Sequence, residues 1–499
     1  MEEIRTEIDD LSEPIEQWKK ILGKDHLLTE GEELDLSNSS AYGFTQDYRI
    51  ILKPKDPFEL SECLKIANYF RIKVHSISKG KNWGYGSKSF SPDMKVLISL
   101  ERMDRILHYD ETLAYVILEP GVTFRKLAAF LSENGGKLQA PIPGTSPDAS
   151  VLGNATERGI GKGVYTQFAN HCKIQEIVTS SGEILSVGFK SQSSYLICED
   201  TTGPSISHLF FQSNLGVVTK IALLLEPGKE IEKRIFFFSQ EEKIGFCSEV
   251  FREYLQRGRN RITLEILNDY RFATQKGNFP FDSSYPSEFL PRKELSKFFP
   301  EFPSARWFGS VNILENPAFD QNGLFDKIQN ELSVLPGIEL IGNESREYPS
   351  GFSDHQLNPA YWRKKFPPPK DPDPDRDGCG ILWLSPIIPH IGSILDQAVQ
   401  TTEEILFSFK FEPLISMRPG FRTVKILIGI VYDREVKDSN RRALECYKKL
   451  KYSLSSLGFH FYRSGVQDRE EQTADPFVSM LKKTMDPNGI LSPQKSGII

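Results

Sequence analysis

The segment 48–86 constrains the fold of this chain more than any other, because its predicted elements follow a defined order. An apolar stretch that begins at Tyr48 favours a strand, a proline-containing turn interrupts it, and apolar residues at helical spacing follow. Residues 73–78 favour a second short strand that leads directly into the glycine-rich loop 79–86. A strand, a helix, a strand and a loop in this order predict an α/β arrangement near the start of the chain.

More elements are predicted before residue 228, after which the composition of the sequence changes. Short strands are expected at 95–100, 114–118 and 173–179. Thr123 is placed to begin a helix over 123–134. After Glu226-Pro227-Gly228 the segments become long, mixed and rich in aromatic residues and proline, which indicates a domain boundary. Two or three compact units are expected, since 499 residues exceed the roughly 250–300 that one core supports.

The second unit is predicted to be an α+β domain with an antiparallel sheet. Apolar, β-prone segments lie at 378–386 and 423–432, whereas 394–408 and 438–457 have helical spacing. The proline-rich run 367–375 cannot form a helix or a central strand. We therefore expect an exposed loop there.

Composition narrows the possible partners. The chain is 39% hydrophobic with a net charge of -6 and interspersed Lys and Arg, which argues against nucleic acid as a partner. The first residues lack the pattern of a signal peptide, and no apolar run approaches the roughly 20 residues that span a bilayer. We therefore expect a cytoplasmic protein that does not enter a membrane. Six scattered cysteines without a CxxC pair and eight histidines without HExxH argue against a disulfide framework and a metal site.

The loop from Ser78 to Gly86 has the composition of a diphosphate-binding loop. Consecutive backbone N–H groups can hold two negative charges where the main chain approaches closely, and three glycines and Asn82 allow this. The spacing is neither GxGxxG before a helix nor GxxxxGK[ST], which excludes a Rossmann loop and a P-loop. Taken alone, such a loop is more often a tight turn.

Other motifs follow this loop in a fixed order. They lie at 97–100, 119–123, 147–148, 150–159, 213–219 and 486–497. The ordered set resembles the vanillyl-alcohol oxidase and p-cresol methylhydroxylase family of flavoproteins over nearly the whole chain. The resemblance implies an α+β fold in which a two-subdomain FAD-binding domain (1–227) is completed by the segment 456–499. An α+β cap domain built on an antiparallel sheet would be inserted between them, at 228–455.

The resemblance also implies which residues contact FAD. The diphosphate would rest on the loop, and three further stretches and the tail would line the flavin. The implied residues are Ser78, Lys79, Gly80, Lys81, Asn82, Trp83, Gly84, Gly86, Pro143, Gly144, Thr145, Gly153, Asn154, Gly159, Gly216, Val217, Val218 and Lys495. Without the resemblance, Lys495 would be interpreted as a solvated charge.

The chemistry implied by the family is oxidation of a 4-substituted phenol. Removal of hydride from the benzylic carbon to flavin N5 is easier when the para oxygen is ionised, because the product is a neutral quinone methide. A buried phenolate needs a cation and hydrogen-bond donors. Tyr85, Tyr462 and Arg463 match the family's phenolate ligands. An isolated Tyr-Arg pair would more often be a strand residue beside a surface charge.

Two further residues match catalytic positions of the family. Asp148 corresponds to an aspartate near flavin N5, which would balance charge or act as a base toward water. The alternative for Asp148 is an ordinary turn residue. Tyr165 corresponds to another active-site tyrosine, although the glycine pattern between the two differs from that of the family.

The flavin is predicted to be bound without a covalent bond. Members of this family often tether FAD through a histidine or tyrosine of the cap domain, and the matching stretch 416–425 around Phe421 contains neither residue. The expected partners are a small phenolic substrate, molecular oxygen or a redox protein as electron acceptor, and a second copy of the chain in a homodimer. Two alternatives stay open. One is oxidation of a 2-hydroxy acid or another alcohol, with Arg463 binding a carboxylate, and the other is flavin binding without turnover.

Overall fold

The computed structural model describes most of the chain. It covers residues 11–499 except 44–45, 141, 163–166, 188–203, 229, 258–260, 282–288, 316–322, 349–356 and 472–473. The strands described up to residue 227 are β1 (Leu27–Leu28), β2 (Ile50–Leu52), β3 (Val74–Ile77), β4 (Val96–Ser99), β5 (Ile106–Asp110), β6 (Tyr115–Leu118), β7 (Leu138–Gln139), β8 (Ile142–Pro143), β9 (Gly161–Lys162), β10 (Cys172–Val178), β11 (Ile184–Ser186), β12 (Val217–Leu224) and β13 (Glu226–Pro227). The α-helices of this part are α1 (Ser12–Leu22), α2 (Glu32–Ser37), α3 (Pro57–Tyr69), α4 (Phe124–Glu133) and α5 (Val151–Thr156).

The predicted strand–helix–strand opening forms the first sheet, whose strand order is β1-β2-β4-β3. Strands β2, β4 and β3 are parallel, as α3 crosses over between β2 and β3. The helix begins where predicted, because Asp56 accepts hydrogen bonds from the backbone N–H groups of Phe58 and Glu59. Near the end of the chain, Leu491 pairs with Val74 at the edge of this sheet. The C-terminal segment therefore lies beside the strand that leads into the glycine loop.

The second sheet is antiparallel, with the strand order β11-β10-β12-β6-β5. Helix α4 packs on it through Phe124, Leu127 and Leu131, which are buried in one cluster with residues of β6, β10 and β12. Thr123 caps this helix as predicted, since its hydroxyl accepts from the backbone N–H of Lys126 at 3.1 Å. The two sheets and their helices form the two-subdomain arrangement that the sequence implied.

The remainder of the chain is dominated by a third, larger sheet. Its strands are β14 (Glu230–Ser239), β15 (Ile262–Asn268), β16 (Trp307–Glu315), β17 (Ile338–Tyr348), β18 (Cys379–Leu384), β19 (Pro386–Pro389), β20 (Leu414–Pro419), β21 (Thr423–Asp433) and β22 (His460–Phe461). The α-helices are α6 (Gly245–Val250), α7 (Arg252–Arg257), α8 (Asp269–Lys276), α9 (Leu324–Ser333), α10 (Asn358–Tyr361), α11 (Gly392–Ser408), α12 (Ser439–Ser456) and α13 (Pro476–Met485).

This third sheet is antiparallel throughout its described pairings, which confirms the predicted α+β cap. Its order is β17-β14-β16-β15-β20-β21-β19-β22, and β18 pairs with β21. Helices α11 and α12 cover one face, where Leu395, Leu406 and Leu450 are fully buried in the largest cluster described. The opposite face of β15, β20 and β21 carries Glu265, Ser416, Arg418 and Leu427. That face lines the cavity described below.

The limits of the cap sheet bear on the predicted domain division. The sheet begins at Glu230, close to the boundary expected at residue 227, whereas β22 pairs with β19 beyond the limit expected at residue 455. We retain the division into 1–227, 228–455 and 456–499 as a proposal. Among the described helices, none is both long enough and apolar enough to cross a bilayer.

The proline-rich run 367–375 differs from its prediction at one end. It is irregular, and its middle is exposed, but Asp375 is buried. The Asp375 carboxylate accepts hydrogen bonds from the Ala41 backbone N–H (2.5 Å), the Ser87 hydroxyl (2.8 Å) and the Trp83 indole N–H (3.2 Å). Burial raises the pKa of Asp375 to about 6. The end of the run thus connects the N-terminal segment, the glycine loop and the cap.

Candidate active site

Two adjoining hollows lie between the sheets and the cap. The first, called the groove here, follows the glycine loop and the start of α5. Predicted residues that line the groove are Ser78, Lys79, Gly80, Lys81, Asn82, Thr145, Gly153, Asn154, Gly216, Val217, Val218 and Lys495. The second, called the inner cavity, has a volume of about 450 Å³ and lies under the cap sheet. Predicted residues that line the inner cavity are Lys81, Asn82, Trp83, Gly144, Thr145, Asn154 and Gly159.

Three predicted cofactor residues line neither hollow. Pro143 ends β8 and pairs with Gly161, which positions the neighbouring Gly144. Gly84 has a φ of +82°, and a Cβ there would overlap the indole of Trp383 in β18. Its carbonyl accepts from the backbone N–H of Trp383 at 3.1 Å. Gly84 is therefore needed for close approach of the loop to the cap.

Gly86 plays a similar part on the other side of the loop. Its φ is +127°, and a Cβ would lie 2.5 Å from the side chain of Val466. The backbone N–H of Val466 donates to the carbonyl of Tyr85 at 3.0 Å. These contacts fix the position of Tyr85 between the cap and the C-terminal segment.

The groove has the properties required for a polar dinucleotide. Two polar atoms that line it, Asn154 Oδ1 and Gln212 Nε2, are buried and have no hydrogen-bond partner. Ser150 begins α5 by accepting a hydrogen bond from the backbone N–H of Gly153. A Cβ on Gly153 would lie 3.1 Å from the Ser78 hydroxyl, so little room remains between α5 and the glycine loop. Unpaired buried polar atoms are costly, and a bound ligand with many donors and acceptors would satisfy them. The residues present therefore fit FAD.

The C-terminal segment contributes a partly buried ion pair to the groove. Lys495 Nζ lies 2.6 Å from a carboxylate oxygen of Glu157, and both residues line the groove. Burial raises the pKa of Glu157, but the charges of Lys495 and Arg463 outweigh it and hold that pKa below its ordinary value. The tail thus brings a cation to the groove. Glu157 itself was not among the predicted residues.

His75 is a second groove residue that sequence reasoning did not select. It lies in β3, where its ring stacks on Phe90 and its Nδ1 is 2.9 Å from the Ser492 hydroxyl. Burial, reinforced by the charge of Lys495, lowers the pKa of His75 to about 3. The imidazole is therefore neutral at physiological pH. Its position in the strand that precedes the loop was the available signal.

Tyr85, Tyr462 and Arg463 meet where the groove joins the inner cavity. The Tyr85 and Ser385 hydroxyls are 2.5 Å apart, and the Tyr462 side chain lies close enough to both to interact with them electrostatically. The Arg463 guanidinium lies 4.1 Å from the centre of the Tyr85 ring and donates a hydrogen bond to Asn82. Arg463 Nε is buried without a partner. Three residues predicted from distant parts of the sequence are thus brought together.

The electrostatics of this cluster suit an anionic oxygen. Burial raises the pKa of Tyr85, and the charge of Arg463 only partly opposes this. Burial and the neighbouring Tyr85 also raise the pKa of Tyr462. Both tyrosines are therefore neutral near pH 7 and can donate hydrogen bonds. Ser385 was missed because a serine after the apolar strand β18 has no distinctive pattern.

Asp148 lies outside both hollows, in the turn that precedes α5. Its carboxylate pairs with Arg125 of α4 at 2.8 and 2.9 Å, and the two side chains are 41% and 59% exposed. The hydrogen bond and charge of Arg125 hold the pKa of Asp148 below its ordinary value. The turn interpretation thus describes its position, and Asp148 is not brought to the tyrosine cluster. Tyr165 lies outside the described residues. No group of three or more potential metal ligands occurs in the described parts of the chain.

Comparison with known proteins identifies the family of the chain. Residues 48–188 match the model of a family described as FAD binding domain. A 1'-carboxy-chondrochloren decarboxylase from Chondromyces crocatus is 31% identical, over 97% of each chain. Two solved structures superpose with a TM-score of 0.86. The p-cresol methylhydroxylase with substrate bound is 20% identical and aligned over 97% of this chain and 96% of its own. The 4-ethylphenol oxidase from Gulosibacter chungangensis in complex with isoeugenol is 21% identical, over 98% and 97%. The chain therefore belongs to the vanillyl-alcohol oxidase and p-cresol methylhydroxylase family of FAD-dependent oxidoreductases.

Proposed function

We propose that this enzyme oxidises a 4-substituted phenol at its benzylic carbon. The observation that carries the proposal is the convergence of the Tyr85 and Tyr462 hydroxyls with the Arg463 guanidinium at the junction of the groove and the inner cavity. Two neutral donors and one cation form a site for a phenolate oxygen. Both solved structures named above concern enzymes of small phenols, which is consistent with this assignment.

The residues of the chain would act mainly by binding and orientation. Arg463 is held by Asn82, so its charge is fixed before the substrate enters. The tyrosines and this charge stabilise the phenolate, and electron density from the ionised oxygen makes the benzylic C–H bond easier to break as hydride. FAD in the groove supplies the acceptor for that hydride. The organic product is a quinone methide, which gives an alcohol, an aldehyde or an alkene according to whether water adds.

We propose that FAD is held without a covalent bond. In the cap, the stretch 416–425 contains no histidine or tyrosine, and His390, which contacts this stretch just after β19, is already engaged. His390 is buried, with Nδ1 2.6 Å from the Gly420 carbonyl oxygen and Nε2 2.7 Å from the Ser248 hydroxyl. Acid precipitation of the purified enzyme should therefore leave the yellow colour in the supernatant. Colour retained in the pellet would contradict the proposal.

The test of the reaction is anaerobic bleaching of the flavin in the purified holoenzyme. We expect 4-alkylphenols to bleach it, whereas D-2-hydroxy acids and benzylic compounds without a phenolic hydroxyl should not. Bleaching by 2-hydroxy acids alone would replace the proposal with oxidation of hydroxy acids. Peroxide release when air is admitted would identify oxygen as the electron acceptor, and its absence would indicate a redox protein.

A second candidate is phenol oxidation coupled to loss of carbon dioxide. The relative from Chondromyces crocatus is named a decarboxylase, and the inner cavity contains Arg271 and Arg418 in addition to Arg463. After hydride removal, the bond from the adjacent carbon to a carboxylate can break. Its electron pair then forms an alkene, the ring recovers its phenolate, and carbon dioxide leaves. Release of carbon dioxide in equal amount to flavin reduction would support this candidate.

A further inference from the structure

Arg271 is a cation in the inner cavity with no function in phenolate binding. It lies on α8, whose residues Arg271, Phe272 and Gln275 line the side of the cavity formed by the cap. Its Nη1 donates to the Thr274 hydroxyl at 3.0 Å, while its Nε is buried and has no hydrogen-bond partner. In the described part of the chain, no carboxylate lies within ion-pair distance of Arg271.

A partly buried guanidinium whose Nε is fully buried and which has no ion-pair partner is unfavourable for folding, because the charge loses hydration. Burial lowers the pKa of Arg271 to about 10, with Glu265 acting to raise it and Arg418 to lower it further. The group remains charged at neutral pH. Sites that keep such an uncompensated charge are commonly those that bind an oppositely charged ligand.

The adjacent sheet adds positive charge to the same wall. Arg418 lies on β20, between β15 and β21. It forms an ion pair with Glu265 of β15 at 2.8 Å, and Lys425 of β21 lies opposite it. Like charges opposite one another in a sheet are destabilising. Burial, and secondarily the charge of Arg158, lowers the pKa of Lys425 to about 8. Of these three cations, Arg418 alone forms an ion pair within the described residues, and its partner is Glu265.

We propose that Arg271, assisted by the charge of Arg418, binds a carboxylate on the para side chain of the phenol. The Nε and Nη atoms along one edge of a guanidinium match the two oxygens of a planar carboxylate. The inner cavity is also lined by Phe272, Leu357 and Leu427, whose apolar side chains suit an uncharged linker. The preferred substrate is therefore a phenol with an anionic tail. The inference rests on the proposed function for the phenolate end only.

The experiment compares an acid with its neutral ester in the holoenzyme. Anaerobic stopped-flow reduction is measured with 3-(4-hydroxyphenyl)propionate and with its methyl ester, which separates the dissociation constant from the rate of flavin reduction. We expect the acid to bind about 10- to 100-fold more tightly than the ester, as for loss of a charge-assisted hydrogen bond. Arg271→Met should remove this preference by weakening the acid and leave the ester within about twofold.

Two further variants separate this effect from a general defect. Arg271→Lys keeps a charge without the paired donors and should retain part of the preference. Arg441→Met removes an exposed cation on α12, paired with Glu445 outside both hollows, and should leave the preference unchanged. Equal binding of acid and ester by the wild type, or equal weakening of both by Arg271→Met, would overturn the inference.

A probe without a phenolic hydroxyl distinguishes failure of the carboxylate site at Arg271 from failure of the proposed phenol oxidation. Binding of 3-phenylpropionate is followed through the flavin absorbance spectrum, without turnover. Tight binding that Arg271→Met abolishes, together with no flavin reduction by either phenol, would support the carboxylate site and reject phenol oxidation. Reduction by both phenols with no acid preference would reject the carboxylate site and leave phenol oxidation standing.

Discussion

Replacement of Arg463 by methionine tests the phenolate assignment most directly. The change removes the charge and keeps most of the side-chain volume over the Tyr85 ring. Arg463 lies 4.1 Å from the centre of that ring, and its charge acts to lower the pKa of both tyrosines. If the substrate reacts as a phenolate, the variant should need a higher pH to reach the same rate of flavin reduction.

The size of the shift follows from Coulomb's law. A phenolate oxygen that accepts a hydrogen bond from Tyr85 would lie on the order of 5 Å from the guanidinium. At that distance, and at an effective dielectric constant of about 20, two unit charges attract by about 3 kcal/mol. This corresponds to about two pKa units for the bound phenol. Below the wild-type pKa, the ionised fraction and the rate should therefore fall about 100-fold in Arg463→Met.

The assay is the rate of anaerobic flavin reduction at saturating 4-ethylphenol, measured from about pH 6 to pH 10. The loss of rate should be largest at low pH and should shrink as the pH rises, because the phenol then ionises without the help of Arg463. Arg463→Lys keeps the charge and should retain most of the wild-type profile. An equal loss at every pH would show that Arg463 acts by another route, and an unchanged rate would refute its role altogether.

Three further substitutions test the surrounding structure. Gly84→Ala should lower the unfolding temperature and the flavin content, because a Cβ at a φ of +82° overlaps Trp383 and costs roughly 1–3 kcal/mol; unchanged values would refute the close contact. Asp148→Asn should change flavin reduction less than about threefold, since this exposed carboxylate contacts Arg125 and lines neither hollow. A large loss of rate would instead restore the role that the sequence suggested for it. Asp375 has a folded pKa of about 6, above its ordinary 3.8, so its ionised form destabilises the fold by about 3 kcal/mol above pH 6. The free energy of unfolding of the wild type, measured with urea, should therefore increase relative to that of Asp375→Asn as the pH falls from 7 to 5. A difference between the two proteins that does not change with pH would contradict this.

The elements that the sequence predicted are those with local signals. Thr123 caps α4, and the apolar spacing of 394–408 matches α11, which spans Gly392–Ser408. Strand β17 was not predicted, because its polar sequence becomes a strand only through ten pairings with β14. Local patterns cannot contain that information, since the partner strand lies about a hundred residues earlier.

The contacts in the candidate site also join residues that are far apart in the sequence, so local patterns do not predict them. The Tyr85 and Ser385 hydroxyls are separated by 300 residues of sequence, and Asn82 and Arg463 by 381. Family resemblance supplied Tyr85, Tyr462 and Arg463, but nothing in the residues around Ser385 distinguishes it. Asp375 was predicted to be exposed because prolines surround it. Its burial depends on donors from Ala41 and the glycine loop, which only the folded chain brings together.

The two arginines at opposite ends of the proposed substrate should affect different kinetic constants. Arg463 would act where charge is redistributed during hydride removal, so its loss should lower the rate of reduction and change its pH dependence. Arg271 would contact a carboxylate whose charge is the same before and during the reaction, so its loss should weaken binding and leave the rate at saturation intact. Because binding energy that is equal in both states does not accelerate the chemical step, the cation on α8 determines which phenol is chosen, while the cation beside Tyr85 determines how fast it reacts.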